Sequence, residues 1–445
     1  MDLLAVFLIF IACMAACLAC GITMIYALLV GFALFTLLAV RRGFKFKEVM
    51  GFAADSLKES FTVIEIMILI GCLTGLWRQS GTVAYFVDLG VSAIPPSIFI
   101  LAAFLLTTLM SYALGTSFGV AATAGVILMS IARAGGVDPV LSAGAVMSGL
   151  YVGDRGSPAS SASNLVAVVT HTDMRKNVRQ MLKCSIVPFL LCCGIYALLS
   201  LRSPMQNMNT DILNMLGEEF SLQWYCIIPA VLMIVLPFCG VNVKLSMAVS
   251  LVSAFFAAVF VQQADVLACL KTMVLGYEAK NPALTDMLSG GGIVSMLEVC
   301  GILLISCSYG TIFKGTGMLT AVSDKIRRTS EKIGRFPTML LMSAAILAVF
   351  CNQSASTIMQ SNLAGELYGD SDGEKNLKML DMENSVILLA GTVPWCIACS
   401  VPLAMFGADV RSIPLSIYLW MVPLWWLIRR KMTEKTVKNP KNPEV

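Results

Sequence analysis

Charge is what this 445-residue sequence has least of. Asp, Glu, Lys and Arg together make up 13% of it, against 58% hydrophobic residues. Soluble domains of ordinary composition carry about 25% charge and about 45–50% apolar residues. A chain so poor in charge cannot cover a water-facing surface, so its solvent is expected to be largely lipid. Histidine is nearly absent, with His171 its one instance. There is no HExxH, no GxSxG, no Walker loop and no GxGxxG at a strand-to-helix junction, which leaves no enzyme constellation and no ATP-driven pump. Long polar stretches are also missing, so no soluble catalytic domain and no cofactor are expected. Strong basic character is lacking too: the net charge is +4. Arg429, Arg430, Lys431, Lys435, Lys438 and Lys441 cluster in the C-terminal tail, where the excess of basic residues in cytoplasmic loops explains them better than nucleic acid does.

Cysteine is plentiful at fifteen, but most lie inside apolar runs, and no disulfide framework is expected. The CxxC spacings Cys17–Cys20 and Cys396–Cys399 have no histidine nearby to complete a ligand set. They read as small apolar residues on one helix face, with no resident metal. After Met1-Asp2 there is neither a basic n-region nor a small-residue cleavage site, so Leu3–Cys20 reads as a first membrane helix, not a removed leader.

What the sequence does have is apolar runs near the ~20 residues needed to span a bilayer. The first set is 3–20, 22–40, 61–77, 97–113, 118–133, a broken segment over 140–170, and 184–200. The second is 224–240, 243–262, 292–313, 337–350, 357–368, a broken segment over 383–405, and 414–428. A polar loop, 201–223, separates them.

The two sets look like one unit used twice. Gly81 and Gly317 are 317 − 81 = 236 residues apart, each at a Gly/Ser/Thr-rich helix end. Gly115-Thr116-Ser117 and Asn352-Gln353-Ser354 follow equivalent helices, 352 − 115 = 237 apart, and Glu65 and Glu298 are 298 − 65 = 233 apart. Loop charge then orients the halves. Loop 41–58 carries Arg41, Arg42, Lys45, Lys47 and Lys58 and should be cytoplasmic, whereas its counterpart 263–290 has Lys271 and Lys280 against three acids. Loop 314–335 is strongly basic, whereas its counterpart 78–96 is not. Opposite polarity of corresponding loops is the mark of an inverted-topology repeat, a common build for secondary carriers. The expected architecture is therefore an all-α polytopic membrane protein of two inverted-topology repeats with broken helices or re-entrant hairpins. Its divisions are a first repeat over 1–200, an extracytoplasmic connecting loop over 201–223, a second repeat over 224–428 and a basic cytoplasmic tail over 429–445. The expected place is the cell membrane (a bacterial inner membrane), crossed many times, with both termini cytoplasmic.

Four stretches will not make clean helices: 115–119, 153–164, 351–357 and 391–395. Gly and Pro free backbone groups, and irregular backbone at membrane depth is tolerated only in protein or around a watery cavity. These breaks carry the candidate substrate and ion ligands: Thr116 and Ser117; Asp154, Ser157, Ser160, Ser161, Ser163 and Asn164, beside Arg155; Asn352 and Ser354; and Glu383 and Thr392. A polar surface loop is the bland alternative for 153–164. Ionisable groups inside membranes are costly and commonly functional. Asp154, Glu65, Glu298 and Glu383 are therefore the proton-coupling candidates, although Glu65 and Glu298 also read as interfacial acids. His171, beside the basic stretch 175–179, reads as an interfacial histidine without special role.

At these residues the chain resembles the NhaC family of sodium/proton antiporters, within a larger group of inverted-repeat ion carriers. The resemblance spans about residues 60–428 and rests on IGCLTGLWRQSGTV (70–83), SYALGTSFGVAATAG (111–125), AGAVMSGLYVGDRGSPASSASNL (143–165) and ENSVILLAGTVPW (383–395). It implies a proton-linked sodium carrier with a mobile substrate-binding part, and allows a homodimer. The implied partners are Na+ and H+, with no metal beyond the transported Na+. There are departures. Family members commonly carry aspartate where this chain has Ser161, Glu-Asp where it has Glu383-Asn384, and asparagine where it has Cys396. Some relatives exchange carboxylates such as malate and lactate. An ion-coupled organic anion or amino-acid exchanger therefore stays open beside the sodium/proton reading, as does a membrane protein without transport.

Overall fold

The protein is described by a computed structural model covering residues 3–205, 210–317 and 323–438. Among the described residues every regular element is helical, apart from one isolated bridge between Tyr277 and Gly290. The first half holds α1 (Leu3–Cys20), α2 (Met24–Arg41), α3 (Phe46–Gln79), α4 (Thr82–Ala93), α5 (Phe99–Leu114), α6 (Ser117–Val120), α7 (Val126–Ala134), α8 (Pro139–Gly156), α9 (Ser161–Thr170) and α10 (Met174–Arg202). A short α11 (Thr210–Glu219) follows, and then α12 (Ile228–Phe238), α13 (Val243–Phe256), α14 (Val266–Leu275), α15 (Thr285–Leu288), α16 (Gly292–Thr316) and α17 (Ser323–Ile333). The chain closes with α18 (Arg335–Phe350), α19 (Gln353–Leu363), α20 (Asp372–Met382), α21 (Ile397–Met405) and α22 (Ile417–Lys438).

Among the described residues six helical segments are long and apolar enough to cross a membrane, or seven if the pair Asp372–Thr392 and Ile397–Met405, bent by 48°, is one span. The chain is an all-α, multi-pass membrane protein. Its outer helices expose Leu109 on α5, Leu190 and Leu198 on α10 and Phe260 beyond α13. Apolar surface of this extent marks a lipid-facing wall. The expected loop over 41–58 differs: residues 46–60 are helical and continue into α3, which runs 34 residues. No proline interrupts that stretch, and Glu48 caps it by accepting from the Lys45 amide at 3.0 Å. The linker over 201–223 is also not all loop, because α11 forms within it; Glu219 at its end accepts from Tyr277 and from the Lys280 and Asn281 amides.

Glycine sets how closely the inner helices approach. α3 and α16 run antiparallel: Gly71 lies against Gly292 and Ile293, and Phe52 against Gly315. A Cβ on Gly71 would sit 2.7 Å from the Gly292 carbonyl oxygen. α5 and α8 meet through Gly149 and Gly153, where a Cβ would come within 2.0 Å of Thr107 and of the Ser111 backbone. A cluster of Phe7, Phe10, Phe35, Tyr309 and Phe313 locks α1, α2 and α16 together.

The same backbone conformations recur 236 residues apart. Gly115 (φ 64°) and Cys351 (φ 53°) both end a helix in the left-handed region, and 351 − 115 = 236. Thr116 and Asn352 follow as extended caps, accepting from the Gly119 and Ala355 amides. Gly81 and Gly317 are left-handed, as are His171 and Gly407, where 407 − 171 = 236. Asp173 and Asp409 each cap the next helical turn, accepting from the Lys176 and Arg411 amides respectively. The register that matches these conformations pairs Thr116 with Asn352, one residue away from the pairing of Gly115 with Asn352 that residue types alone suggest.

Candidate functional site: helix breaks around Asp154, Arg155 and Glu383

Each break is built by local chemistry. α5 stops at Gly115, whose left-handed φ a larger residue would resist. A Cβ there would also strike the Ala159 backbone, at 2.4 Å, so the first break packs directly on the second. α8 stops before Ser157-Pro158, since proline disfavours helical geometry in the residue before it. The third break, at Cys351, meets the fourth where the Ile397 amide donates to the Cys351 carbonyl at 2.8 Å.

The hydroxyls of the second break are occupied by backbone. Ser160 caps α9 by accepting from the Ser163 amide at 3.2 Å, and it donates to the Asp154 carbonyl. Ser163 donates to the Asp154 and Arg155 carbonyls, Asn164 to the Ser160 carbonyl at 2.7 Å, and Ser157 accepts from the Ala159 amide at 3.1 Å. These side chains satisfy the carbonyls and amides that the break releases. Ser161 and Asn164 are exposed, as is Ser354 in α19. Thr392 donates to its own helix at Leu389, and Thr116 is half-buried with its hydroxyl on the Gly119 amide.

The ionised groups converge instead. Asp154 is buried and accepts from Gln353 Nε2 at 3.0 Å, while Ser117 turns its amide and hydroxyl toward the same carboxylate. Gln353 Nε2 also donates to the Ile387 carbonyl at 3.1 Å, so one amide bridges the third break and the helix that carries Glu383. Glu383 opens a π-helical turn over Glu383–Ile387, a local widening of the helix often found at functional sites. It is fully buried, and neither carboxylate oxygen meets a donor at full hydrogen-bond geometry among the described residues, although the Ser163 hydroxyl lies toward it. Arg155 and Asp154 are the charged groups whose fields reach it. Arg155, also fully buried, donates to Asn384 Oδ1 at 3.0 and 2.6 Å and to the Tyr418 hydroxyl at 3.4 Å. Both direct partners are neutral.

The remaining proton-coupling candidates lie elsewhere. Glu65 is at the surface of α3, paired with Lys244 at 2.7 Å, and Glu298 is exposed on α16, accepting from Thr23. His171 is exposed at the end of α9. Asp381, close to Glu383 in sequence, is occupied by Tyr368, Trp426 and Arg430. Gln353, Asn384 and Tyr418 were not expected as site residues. Gln353 lies in the same break as Asn352 and Ser354, and Asn384 beside Glu383, so nearness to the other candidates was the available signal; Tyr418 had none.

A helical, multi-pass membrane protein with interrupted helices meeting at a buried acid–base cluster has the build common among secondary carriers. The sequence profile of the Na+/H+ antiporter family matches residues 3–163 and 149–428, and the chain belongs to that family. It is 27% identical over 379 residues to a malate-2H(+)/Na(+)-lactate antiporter of Bacillus subtilis, covering 83% of this chain and 80% of that protein. It is 24% identical to the Na(+)/H(+) antiporter NhaC of Alkalihalophilus pseudofirmus, over 84% of this chain and 82% of the relative. The arginine/ornithine antiporter ArcD of Halobacterium salinarum is 24% identical, over 85% and 79%.

Proposed function

We propose that the chain exchanges sodium for protons at the Asp154–Arg155–Glu383 centre. The observation that carries this reading is the pair of fully buried Glu383 oxygens, which no cation or N–H donor among the described residues meets and which have only the Ser163 hydroxyl turned toward them. Two carboxylates share the centre with one guanidinium, which leaves it one positive charge short of neutrality. A buried charge without compensation is expensive, so the missing charge must be brought in. Either a proton on a carboxylate or one Na+ restores balance, and the two exclude each other. Oxygen donors suit a hard cation such as Na+. Competition for one vacancy, repeated on both sides of a membrane, is antiport.

The break chemistry supports alternating access by two inverted halves, because the same caps recur at a spacing of 236 residues and α3 runs antiparallel to α16. The basic ends of α10 and α22, with Arg175, Lys176, Arg429 and Arg430, support a cytoplasmic placement of that face and of both termini in a cell membrane. The reading is of a carrier, not an enzyme. The test is Na+-driven proton movement in proteoliposomes. Wild type should move protons when Na+ is imposed, and Glu383→Gln should not; Na+ that moves no protons with wild type between pH 6 and 9 removes the reading.

A second reading, an ion-coupled organic anion exchanger on the same fold, is favoured by the neutral partners of Arg155 and by the malate-2H(+)/Na(+)-lactate relative. In that case the proton and Na+ still balance the carboxylates, and an anion travels with them.

A further inference from the structure

At the face opposite the basic ends of α10 and α22 lies a cavity of about 760 Å³. The two faces are fixed by α10, which starts at Met174 and whose far end leads to Met205, in contact with Gly135 beside the cavity. Pockets of this size hold small organic molecules. Its wall is built from the end of α3, the turn before α8, the glycine loop before α16 and the end of α21.

Three positive features meet there. Arg78, in the last turn of α3, is only 4% exposed and lines the cavity. One of its Nη atoms donates to the Thr74 carbonyl at 2.8 Å, and its Nε has no partner among the described residues. Gly290 faces it from the opposite loop, where a Cβ would lie 4.0 Å from Nε and Nη2, so a larger side chain at this position would close over the fork. Arg133 lines the same cavity, held in place because its Nη2 donates to the Phe406 and Gly407 carbonyls at 2.6 and 2.7 Å. The third feature is the start of α16, a 25-residue helix whose cap, Gly291, supplies no side chain to the first amides. The free N–H groups of a helix start attract anions. The one carboxylate in the wall, Asp138, is exposed and accepts from the Val140 amide at 2.8 Å.

We propose that this cavity binds a small organic carboxylate, with Arg78 as the fork that receives it and Arg133 and the α16 start adding attraction. A guanidinium matches a carboxylate in two parallel hydrogen bonds, and a desolvated fork is stronger for it. Two guanidiniums against one carboxylate make this cavity favour an anion over Na+, so the carboxylate and the cation are taken up by different groups. The inference rests on the reading of the chain as a carrier, but not on sodium/proton exchange at Glu383.

The test uses the full-length purified protein in a chloride-free, carboxylate-free buffer. L-malate, L-lactate, inorganic phosphate and chloride are each titrated by calorimetry, with melting temperature read in parallel. Malate or lactate should bind wild type and raise its melting temperature. Arg78→Gln should weaken binding at least tenfold. Arg78→Lys, which keeps the charge and loses the fork, should weaken it at least threefold, and it carries the test if the glutamine variant does not fold. The proposal is overturned if neither carboxylate binds wild type, if the folded variants bind as wild type does, or if phosphate or chloride binds as tightly as malate and lactate. Na+-driven proton movement is measured on the same preparation. Its loss with malate binding intact removes the cation centre alone, and the reverse removes the anion site alone.

Discussion

Gln353 reaches across 199 residues of sequence to donate to the Asp154 carboxylate at 3.0 Å. Through that bond the third break holds the acid of the second. A hydrogen bond to a charged group contributes about 1.5–3 kcal/mol, which is a factor of about ten or more in an equilibrium constant. Gln353→Ala should therefore keep the fold and shift the apparent Na+ affinity about tenfold or more. Transport in proteoliposomes at graded Na+ reads it. An unchanged affinity would mean that Asp154 does not depend on the other half of the chain.

The neutral partner of Arg155 makes a second prediction. Asn384→Asp would place a carboxylate where Arg155 now finds an amide oxygen. Arg155 would then be balanced by its new partner, leaving Asp154 and Glu383 to take two cations. Each proton displaced per sodium bound contributes about tenfold in apparent affinity per pH unit. Each sodium still displaces one proton, but the number of protons released per chain at saturating Na+ should rise from about one in wild type toward about two in the variant. Proton release per chain unchanged by the substitution would contradict the charge count.

Ser160 tests whether the hydroxyls of the second break hold cargo or hold the backbone. Its hydroxyl caps α9 and bonds the Asp154 carbonyl. Ser160→Ala should cost about 0.5–2 kcal/mol of stability, as lost caps do. The melting temperature should fall while Na+ affinity stays within about twofold of wild type, a change of less than about 0.5 kcal/mol. A large loss of affinity at unchanged stability would return Ser160 to the ligand set.

The approach of α5 and α8 gives a fourth expectation. A methyl group on Gly153 would come within 2.0 Å of the Ser111 backbone. Backbone cannot step aside as a flexible side chain does, and overpacking costs about 1–3 kcal/mol or more. Gly153→Ala should lower the melting temperature clearly, whereas Gly194→Ala, with nothing nearby, should not.

Much of this architecture was legible from residue types. Apolar runs of spanning length fixed the helices, and Gly115, Ser157-Pro158 and Gly391 marked the breaks, because glycine and proline act on the local backbone. The start of α3 was not legible: Lys45, Lys47 and Lys58 read as a loop, yet charge does not prevent a helix that leaves the membrane. The hydroxyl-rich run 157–164 misled for a related reason. A serine beside a broken helix can face a cavity or a freed carbonyl, and sequence carries no sign of which. Glu65 and Glu298 share their sequence setting with Glu383 but not its burial, since Lys244 and Thr23 meet them at the surface. The contacts that assemble the centre, Gln353 with Asp154 and Asn384 with Arg155, join residues far apart in the chain through neutral amides. Only the fold brings them together.

In the proposed exchange, one vacancy beside Glu383 is filled by either a proton or a sodium ion. The direct measurement is proton release from the purified protein when Na+ is added in weakly buffered solution with a pH dye. Wild type should release protons in proportion to Na+ bound, approaching about one per chain where the centre starts protonated, as linkage requires. Glu383→Gln should release none. Release by that variant equal to wild type, or Na+ binding to wild type with no proton released at any pH from 6 to 9, would contradict the account.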